Sequence, residues 1–167
     1  DVFGGMTLAP YQVRPYSRGS ITLKTPHAAD HPAIRMNYLH DERDRRTLIH
    51  ALRFLRTVSQ QPALAALVEQ EVQPGPDVQS DAQWLEWIAP QLATGYHPVG
   101  SCRMGAADDE MAVCTPDLKV KGIQGLRVID ASLMPNLMCG NTNAAAVAIG
   151  AKGADLVLGK PALPPVT

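Results

Sequence analysis

No stretch of about 18 apolar residues occurs in this 167-residue chain, so nothing in it is built to cross a bilayer as a helix. No signal-peptide pattern follows the first residue, which is Asp1 and not Met, and we expect the chain to begin inside a longer reading frame. An excess of charge is missing too. The formal net charge of -1 leaves no electrostatic case for nucleic acid or an anionic membrane as partner. Cysteine is scarce. Cys102, Cys114 and Cys139 stand 12 and 25 residues apart, which is no zinc pattern, and no metal site is expected. An odd count in a chain of this size argues against a disulfide framework, so the thiols are expected reduced, in a reducing compartment. There is no internal repeat and no low-complexity tract. What remains is ordinary for a globular protein, with 46% hydrophobic and 19% charged residues. The length suits one domain, or one lobe plus the tail of another.

Residues 1–40 are broken by Gly4, Gly5, Pro10, Pro15, Gly19, Pro26 and Pro32. Between the breakers, Ser20–Lys24 alternates and reads as a strand, and Met6–Leu8 as a second. Leu48, Ala51, Leu52, Leu55 and Val58 then recur at helical spacing, with arginines largely off that stripe and Asp41 placed as N-cap. Pro62 opens a second helix, over 62–70. After the Pro74-Gly75-Pro76 break, a third opens at Ser80 or Asp81 with the capping-box pair Ser80 and Gln83, carries Trp84 and Trp87, and meets Pro90. Leu118–Val120 and Leu126–Ile129 read as strands, Pro135–Gly140 as an irregular connection, and Asn141–Leu158 as a last helix ending near Gly159-Lys160-Pro161. The tail over 160–167 is expected to be disordered.

Three short segments carry chemistry. In Tyr96-His97-Pro98-Val99-Gly100 the histidine precedes proline, so its backbone is non-helical and a loop aims the ring. Imidazole titrates near neutral pH, fit to take and return a proton; the bland alternative is a histidine that hydrogen-bonds a buried loop. Gly140-Asn141-Thr142-Asn143-Ala144-Ala145-Ala146 opens the last helix, where free N–H groups and the positive dipole end gather and small side chains admit a ligand. The alternative there is plain capping by Asn141 or Thr142. Gly125–Ser132 is a strand ending in Asp130, the way α/β folds place ligands beyond strand ends; otherwise Asp130 only forms a turn.

Taken in order, His97-Pro98-Val99-Gly100-Ser101-Cys102-Arg103-Met104-Gly105, Leu126-Arg127-Val128-Ile129-Asp130-Ala131-Ser132-Leu133-Met134-Pro135 and Gly140-Asn141-Thr142-Asn143 closely resemble the C-terminal signature of the glucose–methanol–choline (GMC) flavoprotein oxidoreductases. Upstream, Tyr16-Ser17-Arg18-Gly19-Ser20-Ile21-Thr22-Leu23 is similar to that family's "SRG" strand, and the resemblance runs over about residues 10–159. It implies an FAD enzyme oxidising an alcohol. His97 then matches the base that takes the hydroxyl proton as hydride leaves for the flavin. Asn143 matches the second catalytic position, His or Asn in the family, and leans toward the choline-dehydrogenase-like branch. Asp130 and Ala131 match positions beside the FAD, and Asn143, Ala144 and Ala145 positions near its ring. Ser101 stands where the family often has Thr.

One departure matters. The family's N-terminal Gly-x-Gly-x-x-Gly loop is absent here, since Gly122…Gly125 and Gly150…Gly153 do not fit its spacing. The chain is therefore expected to be a fragment, inactive in isolation, that needs the N-terminal remainder of the same protein. The expected architecture is α+β. A mostly antiparallel sheet with covering helices forms a substrate-binding lobe over 1–124, and a strand and long helix over 125–159 complete the FAD lobe. The expected partners are a small alcohol, with choline or another primary alcohol as default, and oxygen or a quinone-like acceptor. The expected location is the cytoplasm, or peripheral at a membrane. The alternative is a non-catalytic binding module of the same fold. His27, His31, His40 and His50 read as surface or capping residues, Trp84 and Trp87 as core or substrate wall, Asp108-Asp109-Glu110 as a solvated turn. Met104, Met111, Met134 and Met138 read as packing residues, with Met138 also placed to line the substrate pocket.

Overall fold

In a computed structural model, residues 4–161 are described. They fall into two compact units, one reaching to Ala93 and one starting at Thr94.

The first unit is mainly helical. Helix α1, Glu42–Ser59, starts where Asp41, in extended backbone, accepts a hydrogen bond from the Arg43 N–H. The Asp41 carboxyl is pulled down to about 2, chiefly by its side-chain bond with Arg43. The apolar stripe of α1 then buries Leu48, Ile49 and Leu52. Helix α2 is a single turn, Pro62–Ala65. Helix α3, Asp81–Ile88, opens on a complete capping box between Ser80 and Gln83, and Pro90 converts its end into a 3₁₀ turn, Ala89–Gln91. Trp84 of α3 is 2% exposed and joins Leu48, Ile49 and Leu52 as the core of this unit. Trp87 packs edge-on against it, ring centroids 6.0 Å apart. Trp84 is thus core, one of the readings open from sequence, and Trp87 is half-buried against it.

Helix α2 stops well short of residue 70. Arg56, on α1, forks onto Glu71 at 2.6 and 2.9 Å, donates to the carbonyls of Val78 and Gly75 at 2.7 and 3.1 Å, and stacks over Trp84. Residues 71–78 wrap around this guanidinium. The segment over residues 12–17 is fastened to α1 in a similar way. Asp44, 1% exposed, accepts from Gln12 Nε2 at 2.8 Å and from the N–H groups of Tyr16 and Ser17 at 2.9 and 2.6 Å.

Strands β1, Ser20–Thr22, and β2, Ala33–Arg35, pair antiparallel with Ile21 opposite Ile34. The antiparallel sheet expected from sequence is therefore small, two strands of three residues, though the α+β character holds. Met6–Leu8 forms no strand. In the second unit, Leu118–Val120 and Leu126–Ile129 meet in one isolated bridge, Lys119 with Arg127, and Val120 bridges separately to Cys114. Alternation alone makes no ladder where neighbours do not run long enough alongside.

The second unit is irregular up to a 3₁₀ turn, Ala131–Leu133, and then helix α4, Asn143–Val157. Cys114 and Leu133, both 0% exposed, and Leu118 form its core, with Met104, Val128, Ile129, Ile149 and Leu156 packed around them. Buried Gly153 lets α4 lie against Ile129; a Cβ there would stand 2.2 Å from Ile129 Cγ2. The helix closes on a Schellman motif. Gly159 takes φ +64, its N–H reaches Leu156 O at 3.4 Å, and Lys160 N–H reaches Asp155 O at 2.9 Å. Residues 162–167 of the tail read as disordered lie outside the described residues. Among the described residues no helix is long and apolar enough to cross a membrane.

Candidate functional site

His97 stands on a loop bent at both ends. Tyr96 before it takes φ +60, a left-handed conformation uncommon for a residue with a side chain, and Gly100 after it takes φ +89. The Tyr96 N–H is tied back to Thr94 Oγ1 at 3.0 Å. Downstream the loop is anchored by backbone. The Cys102 N–H donates to Ser132 O at 3.1 Å, and the Met104 N–H to Leu133 O at 2.9 Å. Arg103 forks onto Asp109 at 2.8 and 2.9 Å and so braces the turn that follows. This contact holds the Asp109 carboxyl below its ordinary value. The acidic run is thus only partly a solvated turn, because Asp109 has a structural partner that composition does not reveal.

Asp130 caps the 3₁₀ turn, its carboxylate accepting from the Ser132 N–H at 2.7 Å. That local job fixes the backbone onto which residues 102–104 are bonded. Ala131, half-buried, is the first residue of that turn.

Thr142 occupies the N-cap position of α4, and its carbonyl accepts from the Ala146 N–H at 2.9 Å. Its side chain does no capping. Instead Thr142 Oγ1 lies 2.9 Å from Nδ1 of His97, and the Thr142 N–H points at the same nitrogen from 3.5 Å. Only 9% of Thr142 is exposed. The sequence reading offered this residue to the helix end; the fold gives it to the imidazole. Asn143, next along the chain, is therefore placed one residue from the group that touches His97. Asn143 and Ala144 are exposed and Ala145 is half-buried.

The three sequence segments thus meet within one unit. His97 touches the start of α4, and its loop is bonded to the turn that Asp130 caps. A helix start without a side-chain cap keeps first-turn N–H groups and the positive dipole end for a ligand. Beyond Asn143 it bears only the methyl groups of Ala144, Ala145 and Ala146, which fit the close approach of a flat, electron-accepting ring. His27, His31, His40 and His50 are all exposed, as read from sequence. Met104 and Met134 pack inside, but Met111 is 74% exposed and is not a packing residue of these units. Met138 is half-buried.

Known proteins resemble this chain over most of its length. The family model described as GMC oxidoreductase matches residues 15–150. An oxygen-dependent choline dehydrogenase of Rhizobium rhizogenes is 43% identical over 147 residues, 88% of this chain and 27% of that protein. One from Vibrio vulnificus is 40% identical over 152 residues, 91% of this chain and 27% of its own length. Among solved structures, pyridoxine 4-oxidase from Mesorbium loti superposes with a TM-score of 0.82 at 37% identity, covering 90% of this chain and 29% of that one. A fungal aryl-alcohol oxidase does so with a TM-score of 0.76 at 30% identity, covering 88% and 24%. The chain thus spans just over a quarter of the curated relatives it matches. With most of its length matched by the family model, and with both relatives and solved structures alike across it, the chain belongs to the GMC oxidoreductase family, of which it carries the C-terminal region.

Proposed function

We propose that this chain is the C-terminal portion of a longer FAD-dependent oxidoreductase that oxidises a primary alcohol, choline-like in class, to the aldehyde. The observation that carries the reading is the meeting of His97 with the N-terminal end of α4, at 2.9 Å, across 45 residues of sequence. A carbinol carbon releases hydride readily only as its oxygen loses a proton. His97 takes that proton, and general-base help of this kind contributes about 10²–10⁴-fold. The Asn143 carboxamide, on the residue after Thr142, donates to the same oxygen and steadies its developing charge. Bound FAD supplies the two-electron acceptor for the hydride. Asp130 and Ala131 would hold the cofactor together with the start of α4 at Asn143, Ala144 and Ala145. In this reading residues 1–124 belong to the substrate lobe and 125–159 complete the FAD lobe, while the remaining FAD contacts come from the N-terminal part. Oxygen or a quinone-like acceptor takes the electrons on. The names of the choline dehydrogenase relatives support both the alcohol class and oxygen. A cytoplasmic or membrane-peripheral location fits the same reading.

The test is the visible spectrum of the full-length protein, mixed anaerobically with choline and a panel of primary alcohols, beside His97→Ala. Rapid bleaching of a yellow flavin in the wild type, slowed about 10²–10⁴-fold in the variant, is expected. Equal bleaching in both would remove His97 from the chemistry. A full-length protein that holds no flavin would instead be a binding module that has kept the fold.

A further inference from the structure

A strained residue stands directly before His97. Tyr96 takes φ +60, a conformation that is costly for a residue with a Cβ and open to glycine. We propose that Thr94 is a positioning residue: its hydroxyl oxygen accepts the Tyr96 N–H, keeps Tyr96 left-handed, and through that bend sets where the His97 ring stands. This rests on the reading of His97 as the base.

Four observations carry it. The Tyr96 N–H lies 3.0 Å from Thr94 Oγ1, in the ordinary range, and the direction of the bond is fixed because a backbone N–H only donates. The bond spans Gly95, the residue type that restrains a chain least, so it supplies stiffness across a joint where the backbone has little. The Tyr96 ring is 85% exposed, so packing of the ring within this unit does not hold the bend. Downstream, the loop is fixed without side chains: Pro98 keeps His97 out of the helical region, and the Cys102 and Met104 N–H groups are bonded to Ser132 O and Leu133 O. The downstream side of His97 is thus tied down through backbone, and the upstream side through the Thr94 side chain. A return of Tyr96 to φ near −60 is a rotation of about 120° at the residue next to His97, and it changes the direction in which the ring is presented to the start of α4. Thr94 therefore acts through Tyr96 and His97 and touches no reacting atom.

The experiment uses the full-length protein, comparing wild type, Thr94→Val, Thr94→Ser, Tyr96→Gly and the double variant Thr94→Val with Tyr96→Gly. Thr94 is exposed and lies outside every helix and strand, so its variants are expected to fold. Two quantities are read: the limiting rate of flavin reduction at saturating alcohol, and the ring signals of His97 in protein carrying ¹⁵N-labelled histidine, assigned by their loss in His97→Ala. Thr94→Val should lower the rate about 5- to 10-fold, the worth of one lost hydrogen bond, and shift the His97 signals, while the alcohol concentration for half-saturation stays near wild type. Thr94→Ser keeps the hydroxyl and should restore both. In the Tyr96→Gly background the same Thr94→Val change should cost about 2-fold or less, because glycine takes positive φ about as readily as negative. That comparison holds whatever the tyrosine ring itself touches. A merely structural threonine would lower the melting temperature and leave the His97 signals where they are. The assignment is overturned by unmoved His97 signals or a wild-type rate in Thr94→Val, by a serine variant as slow as valine, or by a valine change as costly in the Tyr96→Gly background as in wild type. If the His97 signals move as expected but no alcohol reduces the flavin, the positioning contact stands and the alcohol reading falls.

Discussion

Replacing Gly153 by alanine tests whether α4 is held where its N-terminal end can serve His97. In an isolated helix the change is favourable by about 1 kcal/mol, because alanine loses less backbone freedom than glycine. Here the new Cβ would meet Ile129 Cγ2 at 2.2 Å, Cδ1 at 2.9 Å and Cγ1 at 3.1 Å. Ile129 is branched at Cβ and stiff about χ1, so it cannot simply turn away. Overpacking of this kind costs about 1–3 kcal/mol, and three close atoms put the site toward the upper end. The net expectation is destabilisation by about 1–2 kcal/mol, as the difference between a clash of about 3 and a propensity gain of about 1. Thermal and denaturant unfolding of the full-length protein, wild type beside variant, would read it. The decisive comparison is a double-mutant cycle with Ile129→Ala, which removes all three clashing atoms. Gly153→Ala made in that background should be neutral or stabilising. If Gly153→Ala alone raises stability by about 1 kcal/mol, α4 does not pack on Ile129 and the placement of Thr142 loses its support.

Three further outcomes are expected. Burial pushes the Asp44 carboxyl up, but bonds from Ser17, Tyr16 and Gln12 outweigh it and hold it below its ordinary value. Its stabilisation is therefore full above the unfolded value, about 3.9, and is lost as pH falls through the lower folded one. Asp44→Asn should cost about 1–3 kcal/mol at pH 7, with the gap from wild type closing in acid, as pH-dependent unfolding would show. Arg56→Lys, read by denaturant unfolding, should cost about 1.5–3 kcal/mol, because an ammonium cannot fork onto Glu71 and still reach the carbonyls of Val78 and Gly75. Cys114 is 0% exposed and burial pushes its thiol up, so a thiol reagent followed by mass spectrometry should leave it unlabelled until denaturant is added; fast native labelling would contradict the core described for the second unit.

Local chemistry was legible wherever it decides structure by itself. The capping side chains of Asp41 and Ser80 place the starts of α1 and α3, and Gly159 places the end of α4. Each works through backbone groups a few residues away. The order and composition of the His97, Asp130 and Asn143 segments were equally plain, and they identified the family before any coordinates. Strand length was not legible, since Leu118–Val120 and Leu126–Ile129 alternate well yet find only bridge partners. Nor was the end of α2, where Glu71 goes to Arg56 from 15 residues away. Asp109 looked like solvent-facing charge until Arg103 was seen to fork onto it.

Thr142 draws the line most sharply. From sequence it is a good cap at the start of a helix, and no neighbour along the chain says otherwise. Its hydroxyl could serve the helix or the imidazole at equal chemical cost. Which one it meets depends on how the loop bent at Tyr96 and Gly100 and the helix seated on Ile129 come together. The sequence by itself determined the groups, the caps and the family; only the tertiary structure decided who bonds to whom, because hydrogen bonds between distant residues are set by packing rather than by local propensity.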